Sequence, residues 1–119
     1  MNPLIPSTTV AVLGDCAPTW EMLEPLFESV TQDRRHSELE FHLTSLNPQM
    51  GELVQRYCAE RGISLGRTAL SALARVDRAI VFIAGLDSPL RQTANALVRR
   101  GTAVYFVILD SEGVTHGQP

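Results

Sequence analysis

Few residues of this chain can do chemistry unaided. Among 119 residues there are two cysteines, Cys16 and Cys58, and three histidines, His36, His42 and His116. The cysteines fit no metal spacing, and no histidine lies at a recognisable motif distance from Cys16. The histidines make neither a metal site nor a triad. Long apolar runs are also missing: "AIVFIAGL" and "AVYFVIL" are far too short to span a bilayer. The start "MNPLIPSTTVAV" lacks a basic opening and an extended apolar stretch, which reads as no signal peptide. Two thiols without an export signal then point to reduced cysteines and a cytoplasmic protein. Positive charge is scarce as well. Ten basic against thirteen acidic residues leave a net charge of -3, which argues against direct nucleic-acid binding by phosphate neutralisation. A small anion held by backbone amides is still compatible with that balance.

What the chain does have is alternation of short apolar runs with helical stripes. Its length supports one domain with one core over 1–119, with 1–7 and 110–119 as loose ends. "TVAVLG" (9–14) reads as a buried strand ended by glycine. Leu23, Leu26, Phe27 and Val30 recur at helical spacing, although Pro25 lacks the amide a helix interior needs and predicts a late start or a kink. In "SELEFHLTS", Leu39, Phe41 and Leu43 alternate toward one face, with His42 on the other. Asn47 and Pro48 then give a cap followed by a proline, and Met50, Leu53, Val54, Tyr57 and Cys58 form a stripe closed by Gly62. "ISL" (63–65) reads as a short strand, Leu70, Leu73 and Ala74 as a helix, and "RAIVFIAG" (78–85) as a central strand. Ser88 and Pro89 repeat the cap signal ahead of Leu90, Ala94, Leu97 and Val98. Gly101 ends that helix before the last strand, "TAVYFVIL" (102–109). The expected fold is α/β: a three-layer Rossmann-like domain, with about five mainly parallel strands and four helices.

In such a sheet, ligands bind outside the carboxyl ends of the strands. That rule selects Gly14, Asp15 and Cys16, then Thr44, Ser45 and Asn47, then Gly85 to Ser88, and Asp110. The helix starts at Asn47 and Ser88 attract anions, although capping alone also explains both residues. Asp15 and Asp87 can act as an acid/base pair or hold ribose hydroxyls, or simply bond their own turns. Arg67 can reach a phosphate or stand as a solvated surface arginine. Trp20 can stack on a base or pack. The turn "TSLNPQMGEL" (44–53) stands where α/β proteins often cradle a phosphate, yet its only glycine is Gly51. The pattern calls for no cofactor or metal.

The order of elements, with "VAVLGD", "LVQRYCAERGI", "VDRAIVFIAG" and "SPLRQTANALVRRGTAVYFV", resembles the SLOG superfamily. Those Rossmann-like domains are related to the LOG phosphoribohydrolases and to the DNA-processing protein A family. The likeness covers about residues 8–109 and is closest to the small single-domain members. Gly14, Gly85 and Gly101 match glycines of the pattern, Arg67 lies near the place of a basic residue, and Ser88 and Thr93 match small polar positions. The departure is the turn after the second strand. Its glycine places fall on Ser45, Leu46 and Gln49, and its acidic place falls near Gly51, beside Glu52.

The resemblance implies a nucleotide-derived ligand, and the altered turn implies binding or sensing without catalysis. The site expected is Gly14, Asp15, Ser45, Asn47, Arg67, Gly85 and Ser88. The alternatives are a hydrolase of nucleotide N-glycosidic bonds, with Glu52 as its carboxylate, and a non-catalytic protein-interaction module. A homodimer is expected through the first helix, with Trp20, Met22 and Leu26 partly spare.

Overall fold

A computed structural model describes residues 7–44, 47–72, 75–110 and 113–114. The strands are β1 (Thr8–Gly14), β2 (Leu39–Leu43), β3 (Ser64–Gly66), β4 (Arg78–Ile83), β5 (Ala103–Asp110) and β6 (Gly113–Val114). The helices are α1 (Trp20–Thr31), α2 (Pro48–Arg61) and α3 (Leu90–Arg99). The sheet order is β3-β2-β1-β4-β5-β6, with the first five strands parallel and β6 antiparallel to β5. This is the Rossmann-like α/β architecture that the alternation predicts. The order in which strands are added reverses between β1 and β4, the switch point of such sheets. The short pairing of Leu109 and Asp110 with Val114 and Gly113 carries strand structure into the stretch expected to be loose.

Local chemistry sets the helix ends. Thr19 Oγ1 accepts from Met22 N at 3.3 Å and starts α1 on schedule. Pro25 sits exposed inside that helix and removes one backbone bond without ending it. Asn47 Oδ1 accepts from Gln49 N (2.9 Å) and Met50 N (3.2 Å), with Pro48 in the first turn. Gly62 then closes α2 with φ 68°, a left-handed conformation that favours glycine. Among the described residues there is no fourth α-helix. Leu70–Ala72 makes a single 3-10 turn, and Leu73 and Ala74 lie outside the described residues.

The two faces of the sheet are covered unequally. Val10, Val12, Phe41, Ile80 and Phe82 point to the face carrying α1 and α2, where they meet Leu23, Phe27, Met50, Val54 and Tyr57. The Phe27 ring lies 5.0 Å from Tyr57, 5.6 Å from Phe41 and 6.3 Å from Phe82, centroid to centroid, so one aromatic ring touches three others. Ala11, Leu13, Ala79, Val81 and Ile83 point to the opposite face, where α3 supplies Ala94 and Leu97. Leu70 packs there too, so the β3–β4 connection crosses on the α3 side.

Arginines tie the layers at their rims. Arg61 on α2 bonds Glu24 and Glu28 on α1, and Tyr57 Oη donates to Glu28 at 3.1 Å. Arg61 beside Glu28, together with that tyrosine hydroxyl, holds the Glu28 carboxyl below its ordinary range. Arg78 grips both carboxylate oxygens of Asp33 at 2.8 Å and also bonds Val30 O, fixing the start of β4 to the end of α1. At the same sheet end, Asp77 accepts from Thr9 N (2.8 Å), and its carbonyl accepts from Ala103 N (3.1 Å). One residue thereby joins β1 and β5 across β4.

Candidate functional site

The residues that the strand-edge rule selects fall into three places. Gly14, Asp15, Gly85 and Ser88 come together at the ends of β1 and β4, as expected, and there they bond one another. Asp15 Oδ1 accepts from Ala84 N (3.0 Å) and Oδ2 from Ser88 Oγ (2.5 Å). Ser88 Oγ accepts in turn from Leu90 N (3.2 Å), the first residue of α3, although the cap position falls on Pro89 and not on Ser88 as expected. Asp15 N donates to Phe82 O (3.1 Å). The cluster is a latch that ties β1, β4 and the start of α3. Gly14 is required by packing: a Cβ would stand 3.0 Å from Cys16 O and 3.4 Å from Phe82 Cβ. A Cβ on Gly85 would meet Asp87 Oδ1 at 3.1 Å.

The second place is the start of α2. Asn47 caps the helix with its own side chain, so the amides of Gln49 and Met50 that were expected to face an anion already have an acceptor. Gly51, the one glycine of the turn, serves packing, because a Cβ there would come 3.2 Å from Leu43 Cδ2. Ser45 lies outside the described residues. A hollow of about 350 Å³ beside this helix end is lined by Asn47, Glu52, Gln55 and Arg67.

The third place is a groove of about 740 Å³ between the 67–72 connection and α3. Its apolar walls are Leu13, Leu70, Leu90 and Leu97. Thr44, Thr68, Ser71 and Thr93 supply hydroxyls, and Arg67 and Arg100 supply positive charge. Arg67 lines both the groove and the smaller hollow. Of the expected site residues that are described, Arg67 alone is in the groove wall. The groove opens where the expected helix through Leu70 is, among the described residues, a 3-10 turn. The stripe Leu70, Leu73, Ala74 suggested such a helix and so concealed the space. Arg100, whose position at a helix end already accounts for its charge, carried no signal of this role.

No nucleophile or metal centre stands out. Burial and the Asp15 carboxylate push the Cys16 thiol up to about 11, and burial pushes Cys58 up to about 12, so both stay protonated at neutral pH. No group of three histidines, cysteines or carboxylates suited to a metal occurs among the described residues. His42 is buried on the α3 side of β2. Its Nε2 lies 3.3 Å from Glu40 Oε2, its Nδ1 has no partner among the described residues, and the ring rests directly on Gly66. Trp20 also packs: Arg56 lies over its ring at 3.9 Å, and Trp20, Met22 and Leu26 all rest against the core. These three residues of α1, expected to be partly spare for a dimer, are half-buried within the chain. No helix among the described residues is long and apolar enough to cross a membrane.

Comparison with family models, with curated proteins and with solved structures gave no match in any of the three, and nothing in them identifies the SLOG superfamily.

Proposed function

We propose that this domain binds a small anionic molecule with an apolar or planar part, in the groove between the 67–72 connection and α3, without transforming it. The observation that carries this reading is the groove itself. It has the volume typical of a ligand site, about 300–1,000 Å³, and combines leucine walls, four hydroxyls and two arginines. Among the described residues no carboxylate, imidazole or thiol lines it, which favours binding over acid–base or nucleophilic chemistry. A nucleotide-derived ligand has the right character, with phosphate for Arg67 and Arg100 and a base for the apolar wall. That identification draws on the SLOG resemblance, as does the alternative of N-glycosidic hydrolysis with Glu52 in the neighbouring hollow.

Thermal-shift titration with nucleoside monophosphates and ADP-ribose, alongside chromatography for released base, tests the reading. The expected result is a concentration-dependent rise in Tm, reduced by Arg67→Gln and by Arg100→Gln, with no base released. Absence of any shift overturns the binding site. Base release abolished by Glu52→Gln replaces it with the hydrolase.

A further inference from the structure

The groove carries a positive charge toward each of its ends. Leu90, Thr93, Leu97 and Arg100 line it from α3, three or four residues apart, so they form one stripe along that helix. At a rise of about 1.5 Å per residue, Leu90 and Arg100 stand roughly 15 Å apart along the axis. Leu90 is at the carboxyl edge of the sheet, because its amide bonds Ser88 Oγ, which bonds Asp15 just after β1. Arg100 is at the amino edge. There Thr102 Oγ1 donates to Val76 O (2.8 Å) and Ala103 N to Asp77 O (3.1 Å), both just ahead of β4. The opposite wall runs the same way. It begins with Arg67, which directly follows β3, and continues through Thr68, Leu70 and Ser71. Among the described residues, Arg67 and Arg100 are the charged groups of the wall. Leu70 and Leu97 come between them.

The geometry points to a ligand with two anionic groups, one for each arginine, flanking an apolar or planar body. This inference rests on the binding role proposed above and names the class of molecule that fills it. A guanidinium binds a phosphate bidentately, so one arginine is enough for one phosphate. Two arginines entering from opposite ends therefore leave one without an anion if the ligand carries a single charge. The end of α3 does not need Arg100 for its own sake. Arg99 also supplies favourable charge there, yet of these two neighbours only Arg100 lines the groove. The Arg67 end also holds Thr68 and Thr44, the latter directly after β2. The first phosphate belongs at that end, outside the carboxyl ends of the strands. The body then packs on Leu70 and Leu97, and the second anion meets Arg100. A nucleoside phosphorylated on both its 5′ and 3′ oxygens has this chemistry, whereas a nucleoside monophosphate satisfies one end only.

Calorimetric titration with adenosine 5′-monophosphate and adenosine 3′,5′-bisphosphate tests this. The bisphosphate is expected to bind at least about tenfold more tightly, the gain from one further charge-assisted pair. Arg67→Gln is expected to weaken both ligands about tenfold. Arg100→Gln is expected to weaken the bisphosphate by a similar factor but the monophosphate by less than about twofold, because only the bisphosphate has a group at that end. Arg100→Lys, which keeps the charge, is expected to retain part of the gain. Unchanged melting of each variant without ligand shows that the fold is intact. Equal affinity for the two ligands overturns the proposal and leaves the binding role standing, with both arginines closing on one phosphate. A tighter bisphosphate that is indifferent to Arg100→Gln also overturns it. Binding of neither ligand overturns the proposal and the binding role together.

Discussion

One face of the sheet is built for cohesion and the other leaves room. On the α1/α2 side, two full helices and a cluster of rings gathered about Phe27 fill the space, and the Arg61 and Arg78 clusters close its rim. On the α3 side, one helix and a single 3-10 turn among the described residues cover the same five parallel strands, and a groove remains. The lesson is that a ligand site need not be carved out of a core. Shortening one crossover is enough, provided the opposite face supplies the stability.

If that division is real, the largest loss should come from the aromatic face. Phe27→Ala is expected to cost about 3–5 kcal/mol in urea unfolding, because Phe27 is fully buried against three rings. The thin face should show a steric limit at one point. A Cβ on Gly66 would stand 2.9 Å from the His42 ring, so Gly66→Ala is expected to cost about 1–3 kcal/mol. Adding His42→Ala should recover part of that loss, and additivity of the two would show that the contact is unimportant. The latch comes next. Asp15→Asn weakens the acceptor for Ala84 N and Ser88 Oγ, with an expected cost of about 1–2 kcal/mol, and faster amide exchange at Ala84 and Leu90 should accompany it.

Acid should report on the rim of the thick face. Arg78 bonded to Asp33 pulls that carboxyl from 3.8 down to about 2. Because the folded value is the lower one, the contribution is present above pH 3.8 and is lost as pH falls toward 2. NMR titration of Asp33 is expected to show the depressed midpoint, and Arg78→Gln to return it toward 3.8. The smallest effect belongs to the groove. Arg67→Gln is expected to change stability by no more than about 0.5 kcal/mol while removing most of any nucleotide-induced Tm rise, a split that a cohesive residue would not show.

Much of this fold could be read from the chain because its causes are local. The apolar runs of β1 and β4, the Asn47–Pro48 cap and the left-handed Gly62 each depend on a few neighbouring residues. The alternation in β2 likewise placed Phe41 and His42 on opposite faces. What could not be read depends on distant partners. Asp15 stood out as a strand-end carboxylate, but its bond to Ser88 joins positions 73 residues apart. Leu70, Leu73 and Ala74 have helical spacing, yet the described part of that stretch, Leu70–Ala72, is a 3-10 turn. The groove exists only where that turn and α3 face each other, and no local pattern describes their separation.

The switch point between β1 and β4 also sets an order of events during synthesis. β1 is made early, but one of its two strand neighbours follows far behind, as the 68-residue span of the Thr9–Asp77 bond shows. At about 5–20 residues per second, the interval is roughly 3–14 s. Until β4 emerges, Ala11 and Leu13 have no Ala79 or Val81 beside them, and Phe27 and Phe41 wait for Phe82. A nascent chain paused in this interval exposes interior residues that β4 later covers, and chaperone capture should peak there and fall once residue 83 has left the ribosome.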